Sequence, residues 1–171
     1  MTNALDTPID ISMILDGARV TAAVRPRHLL SDFLREAGTG GVHVACGHGV
    51  CGACTVAVDG VPVRACLMLA VQADGAVIQS VASLPALEGR PPGQDGLTPL
   101  QAAFRQHHAL QCGFCTPGLL VSTALFLARR GPVRPGLARP DRDDILDHLN
   151  GHLCRCSGYA NIIAAIESVL A

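Results

Sequence analysis

Hydrophobic and polar positions alternate at the start of the chain. Ile9, Ile11, Met13 and Leu15 interleave with Asp10, Ser12 and Ile14, an imperfect period of two that predicts a strand. Asp16-Gly17 signals a hairpin turn, and Val20, Ala22 and Val24 continue as a second strand. From about Arg27 to Ala37 the period becomes helical. Leu29, Leu30, Phe33 and Leu34 share one face, and Gly38 predicts the stop. A glycine-rich loop follows to Cys54. Thr55–Val58 and Val61–Val63 flank Asp59-Gly60 as a second hairpin, and Ala76–Val81 reads as a last strand.

The pattern changes at Pro85. Pro91-Pro92-Gly93 marks a linker by its breakers, and the remainder is helical. Thr98, Pro99 and Gln101 supply a cap, a first-turn proline and a capping-box partner in order. Helices are expected over Thr98–Ala109, Pro117–Arg130, Asp141–Asn150 and Ala160–Leu170. Gly131–Pro140, with three prolines and two glycines, reads as a loop. The expected division is therefore a first domain over residues 1–84, a linker over 85–97 and a helical domain over 98–171. Strand, strand, helix, loop, strand, strand is the layout of a β-grasp domain, and the whole is an α+β chain.

Composition narrows the functions. The 171 residues carry a formal charge of −1, which offers neither a basic footprint for nucleic acid nor a polybasic patch for a membrane. Charged residues make up 16% and hydrophobic ones 49%, an apolar balance that predicts a surface covered by a partner. The longest uncharged stretch, His107 to Ala128, contains two histidines, two cysteines and Pro117. Its apolar part is too short to cross a bilayer, so it reads as a buried helix. No secretory signal is legible at Met1–Asp6, which argues against a disulfide framework for the cysteines.

Those cysteines number eight and form two tetrads. Cys46-x4-Cys51-x2-Cys54 with a distant Cys66 has the plant-type ferredoxin spacing for a [2Fe-2S] cluster. The interleaved Gly47, Gly49 and Gly52 permit the dihedrals that turn backbone N–H groups toward sulfur. They also match a dinucleotide fingerprint by letter, but no strand–turn–helix surrounds them. Cys46-x-His48 resembles half of a Rieske box whose second half is missing, so His48 reads as a loop residue. Zinc favours two similar knuckles, which this spacing lacks. The second tetrad is Cys112-x2-Cys115 and Cys154-x-Cys156. Its spacing alone suits zinc equally well, and a redox partner for the first site is what favours iron–sulfur there. Residues two apart diverge on a helix, so Cys154 and Cys156 belong in a turn.

Cys46-Gly-His-Gly-Val-Cys-Gly-Ala-Cys-Thr55, Gln111-Cys-Gly-Phe-Cys-Thr-Pro-Gly118 and Leu153-Cys-Arg-Cys-Ser-Gly-Tyr159 resemble the small iron–sulfur subunit of the xanthine oxidase family of molybdenum hydroxylases. The resemblance spans nearly the whole chain. It implies an N-terminal β-grasp plant-type ferredoxin domain followed by a C-terminal four-helix bundle [2Fe-2S] domain. It further implies a cytoplasmic electron-transfer subunit, partnered by a large subunit with molybdopterin, often as the cytosine dinucleotide. A medium FAD subunit completes the complex, commonly as a dimer of heterotrimers.

By motif match, Cys112, Cys115, Cys154 and Cys156 hold the molybdenum-proximal cluster. Cys46, Cys51, Cys54 and Cys66 hold the flavin-proximal one. Gln111 and Cys156 occupy positions that approach the pterin, and Arg155 is placed to offset cluster charge or bridge subunits. His43 stands where many relatives carry lysine, a change expected to alter electrostatics near the flavin-side cluster. The Cys115–Cys154 separation is longer than usual, an excess assigned to the Gly131–Pro140 loop as a tolerated surface variation. No substrate-directed nucleophile–base pair is recognisable. Two other readings stand beside this one, a freestanding two-cluster ferredoxin and a zinc-stapled interaction module. Substrate and final acceptor are set on other chains.

Overall fold

The computed structural model describes residues 6–130 and 139–170; the expectation for Gly131–Pro140 falls almost wholly outside them. Strands β1 (Ile9–Leu15) and β2 (Ala18–Val24) pair antiparallel with Leu15 opposite Ala18. Asp16 and Gly17 take φ of 49° and 87°, the two positive values that the tight hairpin requires. Ile11, Met13 and Leu15 point inward, while Ile9 is exposed at the strand's start. Helix α1 (Leu30–Glu36) is shorter than its periodicity predicts. Leu29 is extended and bridges Leu69, so Arg27 and His28 lie in a turn ahead of the helix.

Strands β3 (Thr55–Val58) and β4 (Val61–Arg64) form the second hairpin, turned by Asp59 and Gly60 at φ 49° and 75°. Strand β5 (Val77–Gln79) lies parallel to β1 and antiparallel to β3, giving the order β2-β1-β5-β3-β4. A parallel central pair flanked by two hairpins, with α1 packed beneath, is the expected β-grasp arrangement.

Helix α2 (Leu84–Glu88) occupies the start of the stretch read as a linker. Pro85 sits in its first turn, where the missing N–H costs nothing, and Gly89 closes it at φ 62°. Leu84 and Leu87 are buried in the helical core. Helices α3 (Pro99–Gln106), α4 (Thr116–Arg130), α5 (Arg142–Leu149) and α6 (Ala160–Leu170) follow. The Thr98–Gln101 capping box forms as expected, and Asp141–Asp144 makes a second one. Helix α3 ends three residues early because His108 adopts φ 52°.

Two cores result, and β3 separates them. Val56 joins Ile11, Met13, Leu30, Leu34 and Ile78 on one face of the sheet. Its neighbour Ala57 faces the other way, into the core of Leu100, Phe104, Leu119, Ile145, Ile162 and Ile166. Helix α4 packs directly against β3. The helical half is thus seated on the back of the β-sheet. Among the described residues no helix is long and apolar enough to cross a membrane.

Candidate metal centres

The first tetrad takes Cys46, Cys51 and Cys54 from the loop between α1 and β3, and Cys66 from just beyond β4. Cys51, Cys54 and Cys66 are buried and Cys46 is half-buried. Gly47, Gly49 and Gly52 all have positive φ, 68°, 81° and 75°, which wraps the loop around the sulfurs. The backbone N–H groups of His48 and Cys51 each donate to Cys46 Sγ at 3.5 Å. Those donors, Cys51 first, bring the Cys46 thiol down to about 6. Cys54 goes the other way, pushed up to about 11 by burial and then by the facing Cys66 and Cys51. Thiols therefore meet in pairs, Cys46 with Cys51 and Cys54 with Cys66. His48 donates from Nδ1 to the Cys46 carbonyl at 2.6 Å, the role of a loop residue.

The second tetrad is drawn from two loops. Cys112 and Cys115 lie between α3 and α4; Cys154 and Cys156 lie in the bend between α5 and α6, as a Cys-x-Cys pair requires. Cys115 and Cys154 share a hydrogen bond, and Cys112 is near enough to act on Cys115 electrostatically. Burial pushes Cys115 up to about 12, helped by Cys154. Burial opposes ionisation of Cys154 as well, but the Ser157 hydroxyl and the Ser157 and Cys156 N–H groups outweigh it and hold this thiol below its ordinary value. Cys156 is exposed, as are Cys112, Gln111 and Arg155.

All eight cysteines are free thiols. Among the described residues no group of three or more His, Cys, Asp or Glu side chains is placed to hold a single metal ion. A two-iron cluster asks instead for sulfurs two by two, one pair to each iron, and the thiol pairs of the first tetrad fit that demand. So do its inward-turned backbone donors.

The two centres meet at a junction made largely of backbone. The Leu153 N–H, beside Cys154, donates to the Cys51 carbonyl at 2.9 Å. His43 donates from Nδ1 to the Phe114 carbonyl at 2.8 Å and stacks on the Phe114 ring. Its reach is thus to the second tetrad's loop, which periodicity and spacing gave no way to foresee. Arg64 donates to the Thr55 hydroxyl and to the Gly151 carbonyl. A Cβ on Gly118 would strike the Gly52 and Ala53 carbonyls, and one on Gly52 would lie 2.6 Å from the Gly151 oxygen. Only glycine permits this approach.

Comparison with known proteins matches both halves of this arrangement. Residues 13–78 match the 2Fe-2S iron-sulfur cluster binding domain family and residues 86–167 the [2Fe-2S] binding domain family. The nicotine 6-hydroxylase small subunit of Paenarthrobacter nicotinovorans is 44% identical over 160 residues, covering 92% of this chain and 87% of that one. Caffeine dehydrogenase subunit gamma of Pseudomonas sp. (strain CBB1) is 48% identical over 160 residues, covering 93% and 89%. The chain belongs to the small iron–sulfur subunits of the xanthine oxidase family of molybdenum hydroxylases. Among solved structures, quinoline 2-oxidoreductase from Pseudomonas putida 86 superposes with a TM-score of 0.79 at 41% identity, covering 94% of this chain and 91% of that one. The subunit is accordingly an electron-transfer component of an oxidoreductase complex, with two [2Fe-2S]-binding domains.

Several residues of this iron–sulfur subunit had no role in the sequence reading. Arg64, Thr55 and Gly118 form the junction; Thr55 and Gly118 close two of the quoted motifs, while nothing in the local pattern announces Arg64. Ser157 and Tyr159 lie inside a quoted motif, so the motif itself was the available signal. Tyr159 accepts from the Cys154 N–H at 2.8 Å and donates to the His152 carbonyl at 2.9 Å.

Proposed function

We propose that the chain carries electrons from a molybdopterin centre on a large partner subunit to FAD on a medium one, by way of two [2Fe-2S] clusters. The observation that carries this reading is the meeting of two [2Fe-2S]-binding domains with their cysteine loops hydrogen-bonded directly to one another. Each cluster, when bound, takes up and gives back one electron at a time. Cys46 with Cys51 and Cys54 with Cys66 hold the flavin-side group; Cys112, Cys115, Cys154 and Cys156 hold the molybdenum-side group. Gln111 and Cys156 approach the pterin from an exposed edge, with Arg155 beside them. The helical half, α3 to α6, acts as a four-helix bundle that brings its two cysteine loops to one end. The boundary between the halves falls between Gln79 and Leu84, ahead of the expected linker.

Partner coverage is supported by large apolar side chains left exposed around both centres: Val50 and Leu67 at 61%, Leu153 at 59% and Phe114 at 43%. The assembly is a cytoplasmic dimer of heterotrimers. Nicotine, caffeine and quinoline, named in the relatives, are all nitrogen heterocycles, and a substrate of that class is the one we favour for the partner's pocket. The test is spin-quantified EPR of the anaerobically purified chain after dithionite reduction. Two distinguishable signals totalling about two spins per chain are expected. Cys66→Ser should alter one signal and Cys115→Ser the other. A single signal would confine redox function to one domain and overturn the relay.

A further inference from the structure

We propose that Ser157 sets the reduction potential of the molybdenum-side cluster through its hydroxyl; this rests on the reading that Cys154 is one of that cluster's ligands. Ser157 Oγ lies 3.1 Å from Cys154 Sγ. A metal-bound thiolate has no proton to give, so the hydroxyl is the donor. The Tyr159 N–H points at Ser157 Oγ from 3.2 Å, which engages one oxygen lone pair and leaves the hydroxyl hydrogen to turn to the sulfur.

Tyr159 is itself held for this task. Its φ of 68° is a left-handed conformation that a bulky residue adopts only when its surroundings over-determine it. Here the phenol oxygen does so, accepting from the Cys154 N–H at 2.8 Å and donating to the His152 carbonyl at 2.9 Å. Cys154, Ser157 and Tyr159 thus close a small ring of hydrogen bonds around one sulfur. The first tetrad has a different device. Cys46 receives the backbone N–H groups of His48 and Cys51, each at 3.5 Å, which no side-chain exchange short of proline removes. The side-chain donor at Cys154 makes the second potential adjustable by a single residue while the first is fixed by the loop.

One-electron reduction adds a negative charge to the cluster and its sulfurs, and no proton or leaving group moves. A donor hydrogen stabilises the more negative reduced form over the oxidised one, so the hydroxyl raises the potential. Both redox states accept this bond, so only the gain in its strength on reduction counts, and its loss should lower the equilibrium constant for reduction by about three- to tenfold. Tenfold corresponds to about 59 mV for a one-electron couple.

The experiment is EPR-monitored redox titration of the full chain as purified, wild type beside Ser157→Ala and Ser157→Thr. Ser157→Ala should move the midpoint of one signal downward and leave the other in place; Ser157→Thr, which retains the hydroxyl, should stay near wild type. Two signals with unmoved midpoints in Ser157→Ala would overturn the tuning role and leave the cluster assignment standing. A shift of equal size in Ser157→Thr would assign the effect to packing and overturn it too. If the wild type itself shows only one signal, the ligand reading fails and the inference with it.

Discussion

Alanine at Gly118 tests whether the two domains are locked by backbone contact. The new Cβ would meet the Gly52 carbonyl oxygen, the Ala53 carbonyl oxygen at 2.8 Å and the Ala53 carbonyl carbon at 3.0 Å. All three are backbone atoms, so no side-chain rotation relieves them. Helix α4 must retreat from the Cys51–Cys54 loop by several tenths of an ångström. Overpacking of this kind costs about 1–3 kcal/mol, and alanine returns about 0.5–1 kcal/mol of helix propensity. The net expectation is a loss of about 1–2 kcal/mol, which for a chain of this size lowers Tm by about 3–6 °C.

Gly52→Ala should be worse. Its φ of 75° adds the cost of a left-handed alanine, about 1–2 kcal/mol, to contacts with the Gly151 oxygen and the His152 ring. Gly40→Ala is the control, because a Cβ there meets nothing within 4 Å and its φ lies outside the left-handed range. It should fall within about 0.5 kcal/mol of wild type. The assay is thermal unfolding of the iron-loaded chain at a single scan rate, since loss of metal makes the transition irreversible. A Gly118→Ala chain melting at or above the Gly40→Ala control would refute the argument. The junction would then be a loose contact that slides.

Other substitutions probe the same junction and its charge. Arg64→Met keeps the apolar stem but leaves the Gly151 carbonyl and Thr55 hydroxyl without their donor; urea unfolding should show a loss of about 1.5–3 kcal/mol. His148 is held down to about 4, by burial first and then by the Arg64 guanidinium. The unfolded chain takes up that proton below about 6.5 while the folded one refuses it, so this contribution is complete above pH 6.5 and lost as pH falls toward 4. Between pH 6.5 and 5 the His148 share of the loss should be about 1.5 kcal/mol, and His148→Gln should remove that share while leaving the one from His152, which burial first and then Arg64 hold down to about 3. His43→Ala removes the bond to the Phe114 carbonyl and the ring stack, with an expected cost of about 1 kcal/mol in the same unfolding assay.

Much of this molecule is legible one element at a time. Asp16-Gly17 and Asp59-Gly60 specify their hairpins because both turn positions demand positive φ, and the sequence offers residues that tolerate it. Thr98-Pro99-x-Gln101 specifies a helix start for equally local reasons. The helix at Leu84–Glu88 was hidden because prolines and glycines around it read as breakers, while Leu84 and Leu87 earn their helix only by burial against α4. Likewise Leu29 looks helical by periodicity, but its bridge to Leu69 forty residues on draws it into extended backbone. The cysteine spacings were readable because each motif is short and contiguous in sequence. The contacts of Arg64 and Gly118 were not, since they depend on which loop the tertiary fold lays opposite.

That division explains why the junction is built as it is. Electron exchange between two centres falls steeply with their separation, so a relay needs its two cysteine loops held at a fixed spacing. Side-chain contacts alone would let the spacing breathe with each rotamer. Here the Cys51 carbonyl is bonded to the Leu153 N–H, and Gly118 sits against the Gly52 and Ala53 carbonyls, so backbone meets backbone directly. The residues flanking the cysteines therefore carry the geometry, and the cysteines' own spacing carries only the chemistry. A glycine at 52 serves both, turning the loop toward sulfur at φ 75° and admitting the facing loop at the same point.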